Sequence, residues 1–151
     1  MNFKSLNKQR KYILMAAAIG FIAMFLPWIR VDYFSINGMH DRGIIIFLCF
    51  VVAGVIAYLG DQTKNLERTS WFIALICGAL ATIIMLWYFI DASGYGSSLF
   101  SFGFYIAALA AIGVLLAAYL FRTAGDTIKN GFDSLKNKIE QKTKNEDPGK
   151  T

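Results

Sequence analysis

Four stretches without a single Asp, Glu, Lys, Arg or His constrain this chain more than any other feature: residues 12–29, 43–60, 71–90 and 99–121. Coiled into helices at ~1.5 Å per residue, runs of this length measure roughly 27 to 35 Å, close to the ~30 Å hydrocarbon core of a bilayer. The second run alone carries eleven Leu, Ile, Val or Phe residues. At about −0.3 to −0.6 kcal/mol each they favour insertion by roughly 3 to 7 kcal/mol, much of which one central Lys would cancel. Helices apolar on every face have no side to show to water, which argues against the core of a soluble domain. The 151 residues are 56% hydrophobic and 15% aromatic, more apolar surface than so small a domain can hide in a core of its own. The expected fold is therefore an all-α membrane protein, a four-transmembrane-helix up-down bundle over residues 1–121 followed by a basic tail over 122–151.

The first run follows Lys4, Lys8, Arg10 and Lys11 but closes on Leu26-Pro27-Trp28-Ile29-Arg30, with no small-x-small cleavage site. It reads as a retained helix with Pro27 in its last turn. Thirteen of the fifteen Lys and Arg residues fall in the N-terminal segment, the 61–70 connection and the tail, leaving Arg30 and Arg42 on the other side. That asymmetry predicts both termini in the cytoplasm of an inner-membrane protein. Trp28, Trp87, Tyr88, Phe89, Phe100, Phe102 and Tyr105 would form an outer aromatic belt, and Tyr12, Tyr58, Trp71, Tyr119 and Phe121 an inner one. The net charge of +5 lies in terminal and connecting segments rather than on a folded face, so nucleic acid is not an expected partner.

Small residues recur along each run and would let helix backbones approach closely: Gly20 in the first, Ala53 and Ala57 in the second, Gly78 in the third, Gly103, Ala107 and Gly113 in the fourth. The same rows could join copies of the chain or a larger membrane partner. Cys49 and Cys77, placed by helical rise from opposite faces of a ~30 Å slab, come out about 12 Å apart in depth, too far to bridge.

Few residues suggest chemistry. In the first outer connection Asn37-Gly38 predicts a hairpin turn and Val31, Tyr33 and Phe34 favour strand. His40, with Asp32, Asp41 and Asp91 on its side, could form a metal or acid–base site, but a lone His without partner spacing reads more simply as a solvated loop residue. Ser93-Gly94-Tyr95-Gly96 resembles a potassium-channel filter, yet the 91–98 connection is too short for a pore helix. No carboxylate, His or Lys sits inside a run, as ion-coupled transport would require. Thr82, Ser101, Tyr88 and Tyr105 could line a passive pore built from several copies, or bond neighbouring helices. No cofactor and no enzymatic activity are expected.

The tail carries a stripe at 4-3-4 spacing, Ile128, Phe132, Leu135 and Ile139, with Lys129 and Lys136 beside it. It predicts an amphipathic helix over about 127–142, with Asp126 as a cap and a disordered end past Lys144. Such a helix could lie on anionic lipid or dock on a protein partner.

Phe25-Leu26-Pro27-Trp28, Asn37-Gly38, Trp71-Phe72, Cys77-Gly78-Ala79-Leu80, Ala118-Tyr119-Leu120-Phe121-Arg122 and the Ile128-Lys129, Gly131-Phe132-Asp133 stretch together resemble a group of small bacterial four-helix membrane proteins of unknown function. The resemblance implies the topology and no activity. The expected role is a non-enzymatic accessory or scaffold subunit, with an oligomeric channel and an outer-loop enzyme as alternatives.

Overall fold

The computed structural model describes residues 6–31, 34–93, 100–123, 125 and 127–146. The described chain is all-helical apart from one hairpin: α1 (Lys8–Ala23), β1 (Pro27–Val31), β2 (Phe34–Asn37), α2 (Gly43–Tyr58), α3 (Arg68–Ser93), α4 (Phe102–Leu120) and α5 (Ile128–Glu146). Two of the helices, α3 and α4, are long and apolar enough to cross a membrane. The other two apolar runs are realised as 16-residue helices, about 24 Å long and shorter than the expected spans. α1 begins inside the charged segment, where Asn7 caps it by accepting from the Gln9 amide at 2.9 Å.

Pro27 does not sit in a helical turn, as expected, but opens β1. A proline at that position has no N–H to offer the carbonyl four residues back, that of Ala23. Ala23 O instead accepts from the Leu26 amide at 3.3 Å and from the indole N–H of buried Trp28 at 3.0 Å. The Leu26-Pro27-Trp28 sequence thus ends α1 and satisfies its last turn in one step.

β1 pairs antiparallel with β2, Val31 opposite Phe34 and Arg30 opposite Ser35. The hairpin is present, but its strands meet at the Val31–Phe34 pair rather than around Asn37-Gly38; Asp32 and Tyr33 lie outside the described residues. Asn37-Gly38 closes β2 instead. There Asn37 Oδ1 accepts from the Met39 amide at 3.2 Å, and Gly38 lies so close to Trp28 that a Cβ would sit 2.4 Å from its ring.

α1, α2, α3 and α4 pack in cyclic order, each against the next and α4 against α1. Three of the pairings run antiparallel: Gly20 meets Phe50 while Ala17 meets Gly54, Ala16 meets Gly113 while Leu26 meets Gly103, and Gly78 meets the backbone of Leu115 while Trp71 meets Ala118. Ile13, Ala17, Ile46, Phe50, Ala53, Trp71, Met85, Ala107 and Val114 fill the centre. Trp28 and Trp71, assigned above to the aromatic belts, are both in this core. Many large apolar side chains point the other way, among them Ile22, Ile83, Leu86, Trp87, Ile90 and Leu109.

Cys49 and Cys77 correct a second expectation. The two free thiols are neighbours across α2 and α3, close enough to interact. Pinning both ends of α2 to the faces of a ~30 Å slab stretched a helix of about 24 Å and pushed the two residues apart on paper.

Candidate functional site

The start of α1, the end of α2, the 61–67 connection, the start of α3 and the end of α4 converge at one end of the molecule. Two polar side chains of α1 tie them together. Arg10, only 4% exposed, donates from Nε to Lys64 O at 2.9 Å and from Nη1 to Ala57 O at 3.3 Å and to Leu59 O. It thereby caps the C-terminus of α2, where unpaired carbonyls and the helix dipole both favour a cation. Burial lowers the guanidinium pKa, while Asp61 and Glu67 pull it back up. Gln9 is as deeply buried. Its Oε1 accepts from the Leu66 amide at 3.0 Å and its Nε2 donates to Ala118 O at 3.4 Å. The Trp71 indole donates to that same oxygen at 2.7 Å. Asn65 extends the clamp to the last turn of α4 through Phe121 O and Thr123 Oγ1.

Between these elements lies a cavity of about 450 Å³ with Arg10, Asp61, Lys64 and Glu67 on its walls. Asp61 accepts from the Thr63 hydroxyl at 2.6 Å and amide at 3.1 Å and pairs with Lys64 at 3.6 Å. These contacts, the Thr63 hydroxyl foremost, hold its carboxyl below the usual range. Glu67 pairs with Lys138 of α5 at 3.3 Å.

α5 rests on α3 through one face: Gly131 lies against the Phe72 ring, the Ser134 and Thr69 hydroxyls are 2.9 Å apart, and Leu135 packs on the core. A side chain at Gly131 would meet the ring at 2.8 Å, which is why a helix-weakening residue suits the contact. Leu135 is therefore separated from the rest of its stripe. Ile128, Phe132 and Ile139 remain outside, each about 60% exposed, and fall on an arc between the docked face and Lys129 and Lys136. Lys136 also pairs with Glu140 at 3.8 Å. The Asp126 cap and the chain past residue 146 lie outside the described residues, while helix continues to Glu146 rather than stopping near 142.

The small residues of the helix rows occupy contacts. Ala53, Ala57 and Ala107 are fully buried; Gly20 faces Phe50, Gly103 faces the Pro27 carbonyl, and Gly113 faces Ala16. At the opposite end His40 is exposed and its Nδ1 sits 3.3 Å from Asn37 Oδ1, while Arg42 stacks over Trp87 at 5.1 Å. Among the described residues no three His, Cys, Asp or Glu side chains come together as metal ligands would; Asp32 and the Gly94-Tyr95-Gly96 stretch are outside that set. Thr82 donates back to Gly78 O at 2.7 Å, and Ser101 takes its place through its amide, which donates to Trp28 O at 2.8 Å.

Sequence reading counted Arg10 with Lys8 and Lys11 as topological charge and passed over Gln9. A signal was present: Arg10, Ile13, Ala17 and Gly20 follow one 3-4-3 helical face, and all four are buried, whereas Lys8 and Lys11 fall off it. No known protein family, curated protein or solved structure matches this chain.

Proposed function

We propose that this chain is an integral membrane protein of four membrane-crossing helices, with both ends in the cytoplasm of an inner-membrane topology, and that it serves as a small non-enzymatic accessory or scaffold subunit. The observation that carries the reading is the distribution of apolar surface. The helices pack small and apolar residues inward and still leave Ile22, Ile83, Leu86, Ile90, Leu109 and Leu116 outside, an exposed area that a soluble monomer does not sustain. α1 and α2 are short for the hydrocarbon core, and a mismatch of a few ångströms is absorbed by local thinning of the bilayer. The filled interior favours a structural role over conduction through a single copy. Ile128, Phe132 and Ile139 beside Lys129 and Lys136 suit a helix lying at the inner lipid surface, apolar side toward the acyl chains and ammonium groups at the headgroups.

Orientation is tested by Thr143→Cys in a chain whose own cysteines are replaced by alanine. An impermeant thiol reagent should label it only after the cells are permeabilised; labelling on intact cells overturns the topology. The accessory role is tested by purification in mild detergent, which should recover a larger membrane protein in fixed stoichiometry. Solute flux in liposomes that falls with Thr82→Ala or Ser101→Ala would instead establish the channel.

A further inference from the structure

The cavity at the basic end is lined by Arg10, Lys64, Asp61 and Glu67, and Lys138, which pairs with Glu67 from α5, brings the cations around it to three against two carboxylates. Both of its carboxylates are engaged, Asp61 by Thr63 and Lys64 and Glu67 by Lys138. Arg10 forms no direct ion pair with either, although both attract its charge from a distance. Its three bonds go to backbone carbonyls, and the end of a helix supplies only about half an elementary charge. Those bonds use Nε and Nη1, and Nη2 takes part in none of them. Ser70, in the first turn of α3, is also on the wall, so the positive end of that helix dipole adds to the guanidinium. Ile56 and Leu59 give the cavity an apolar side at the level where α2 ends. A volume of about 450 Å³ is in the range of small-ligand sites.

We infer that this cavity binds a phosphate group, seated on the Arg10 guanidinium against the start of α3. Guanidinium matches phosphate oxygens in both charge and geometry. The phosphate belongs either to the head of a membrane phospholipid, whose glycerol and upper chains would pass along Ile56 and Leu59, or to a soluble phosphate ester. The lipid source rests on the membrane reading above; the soluble source does not.

The test uses the full-length protein, delipidated in a neutral sugar detergent. Short-chain phosphatidylglycerol, diacylglycerol of the same chain length, and glycerol phosphate are titrated separately, with thermal midpoint and native mass spectrometry as readouts. Phosphatidylglycerol should bind saturably and raise the midpoint while diacylglycerol does not. An equal response to glycerol phosphate alone assigns the soluble source. Lys64→Glu, at a side chain 80% exposed, frees Asp61 and adds a carboxylate at the mouth. It should weaken binding about tenfold and leave the ligand-free midpoint unchanged, whereas Lys136→Glu on α5 should leave affinity as it was. Equal responses to phosphatidylglycerol and diacylglycerol with none to glycerol phosphate would overturn the site. So would equal affinities of the parent and Lys64→Glu, or an equal loss in Lys136→Glu. A chain found inserted in membranes but failing here loses only this inference; a chain found soluble without detergent loses the membrane reading first.

Discussion

The indole N–H of Trp71 and the carbonyl oxygen of Ala118 are 2.7 Å apart, a bond that joins the first turns of α3 to the last turns of α4 within a fully buried site. Trp71→Phe keeps most of the ring volume and removes the donor, leaving Ala118 O with the longer bond from Gln9. The expected loss is about 1–3 kcal/mol, read from reversible unfolding in mixed micelles. Gln9→Met should cost more in the Trp71→Phe background than in the parent, because the shared acceptor is then bare. Strict additivity would show that the two donors act independently.

The glycines divide into tight and loose contacts. A Cβ at Gly78 would lie 2.8 Å from the Leu115 amide nitrogen and 2.9 Å from its Cα, so a backbone would have to move. At Gly54 the nearest atom is the Ala17 Cβ at 3.6 Å, an ordinary contact. Gly78→Ala should destabilise by about 1–3 kcal/mol. Gly54→Ala should be neutral or stabilising by up to about 1 kcal/mol, the helix-propensity difference. The same unfolding assay ranks the pair, and a reversed order would refute the packing of α3 on α4.

Cys49 and Cys77 report the register of α2 against α3. Copper–phenanthroline, which accepts the two electrons released, should convert the two thiols to an intramolecular disulfide. The product is identified as a cross-linked peptide by mass spectrometry and by loss of two alkylation sites. A 12 Å axial offset would give none.

The exposed side of α5 can be read optically. Phe132→Trp places a reporter on the outer arc; in liposomes of anionic lipid brominated on its acyl chains, its emission should be strongly quenched. Because the native tryptophans also emit, the comparison is with Asp133→Trp, on the polar side, which should add little quenching. Equal quenching at both positions would show that the arc does not face lipid.

The four apolar runs made the helices legible through their length and lack of charge, and the 4-3-4 stripe made α5 legible through its periodicity, signals that neighbours do not override. Their ends were less so. Pro27 marked a stop only in combination with its neighbours, because the Leu26 amide and the Trp28 indole share Ala23 O, and burial of that indole is a tertiary matter. The hairpin was foreseen from Val31 and Phe34, yet Asn37-Gly38 was given the wrong task, since a turn signal does not say whether a strand is turning back or ending. The clamp was hidden because Arg10 carries the same charge as its neighbours. Only its phase with Ile13, Ala17 and Gly20 distinguished it, and charge counting discards phase. The depth of the two cysteines failed because it assumed helices of one length.

Arg10 and Gln9 are synthesised before the partners they need: Ala57 is 47 residues downstream of Arg10 and Ala118 is 109 downstream of Gln9. While the chain grows, that guanidinium must stay in water or among lipid headgroups, because its permanent acceptors do not yet exist. Gln9 and Trp71 therefore gain their shared acceptor only when α4 has been made, so this part of the clamp closes after α1, α2 and α3 exist. A chain stalled before α4 would keep the Arg10 bonds to α2 and the 61–67 connection and would lack only the acceptor that Gln9 and Trp71 share.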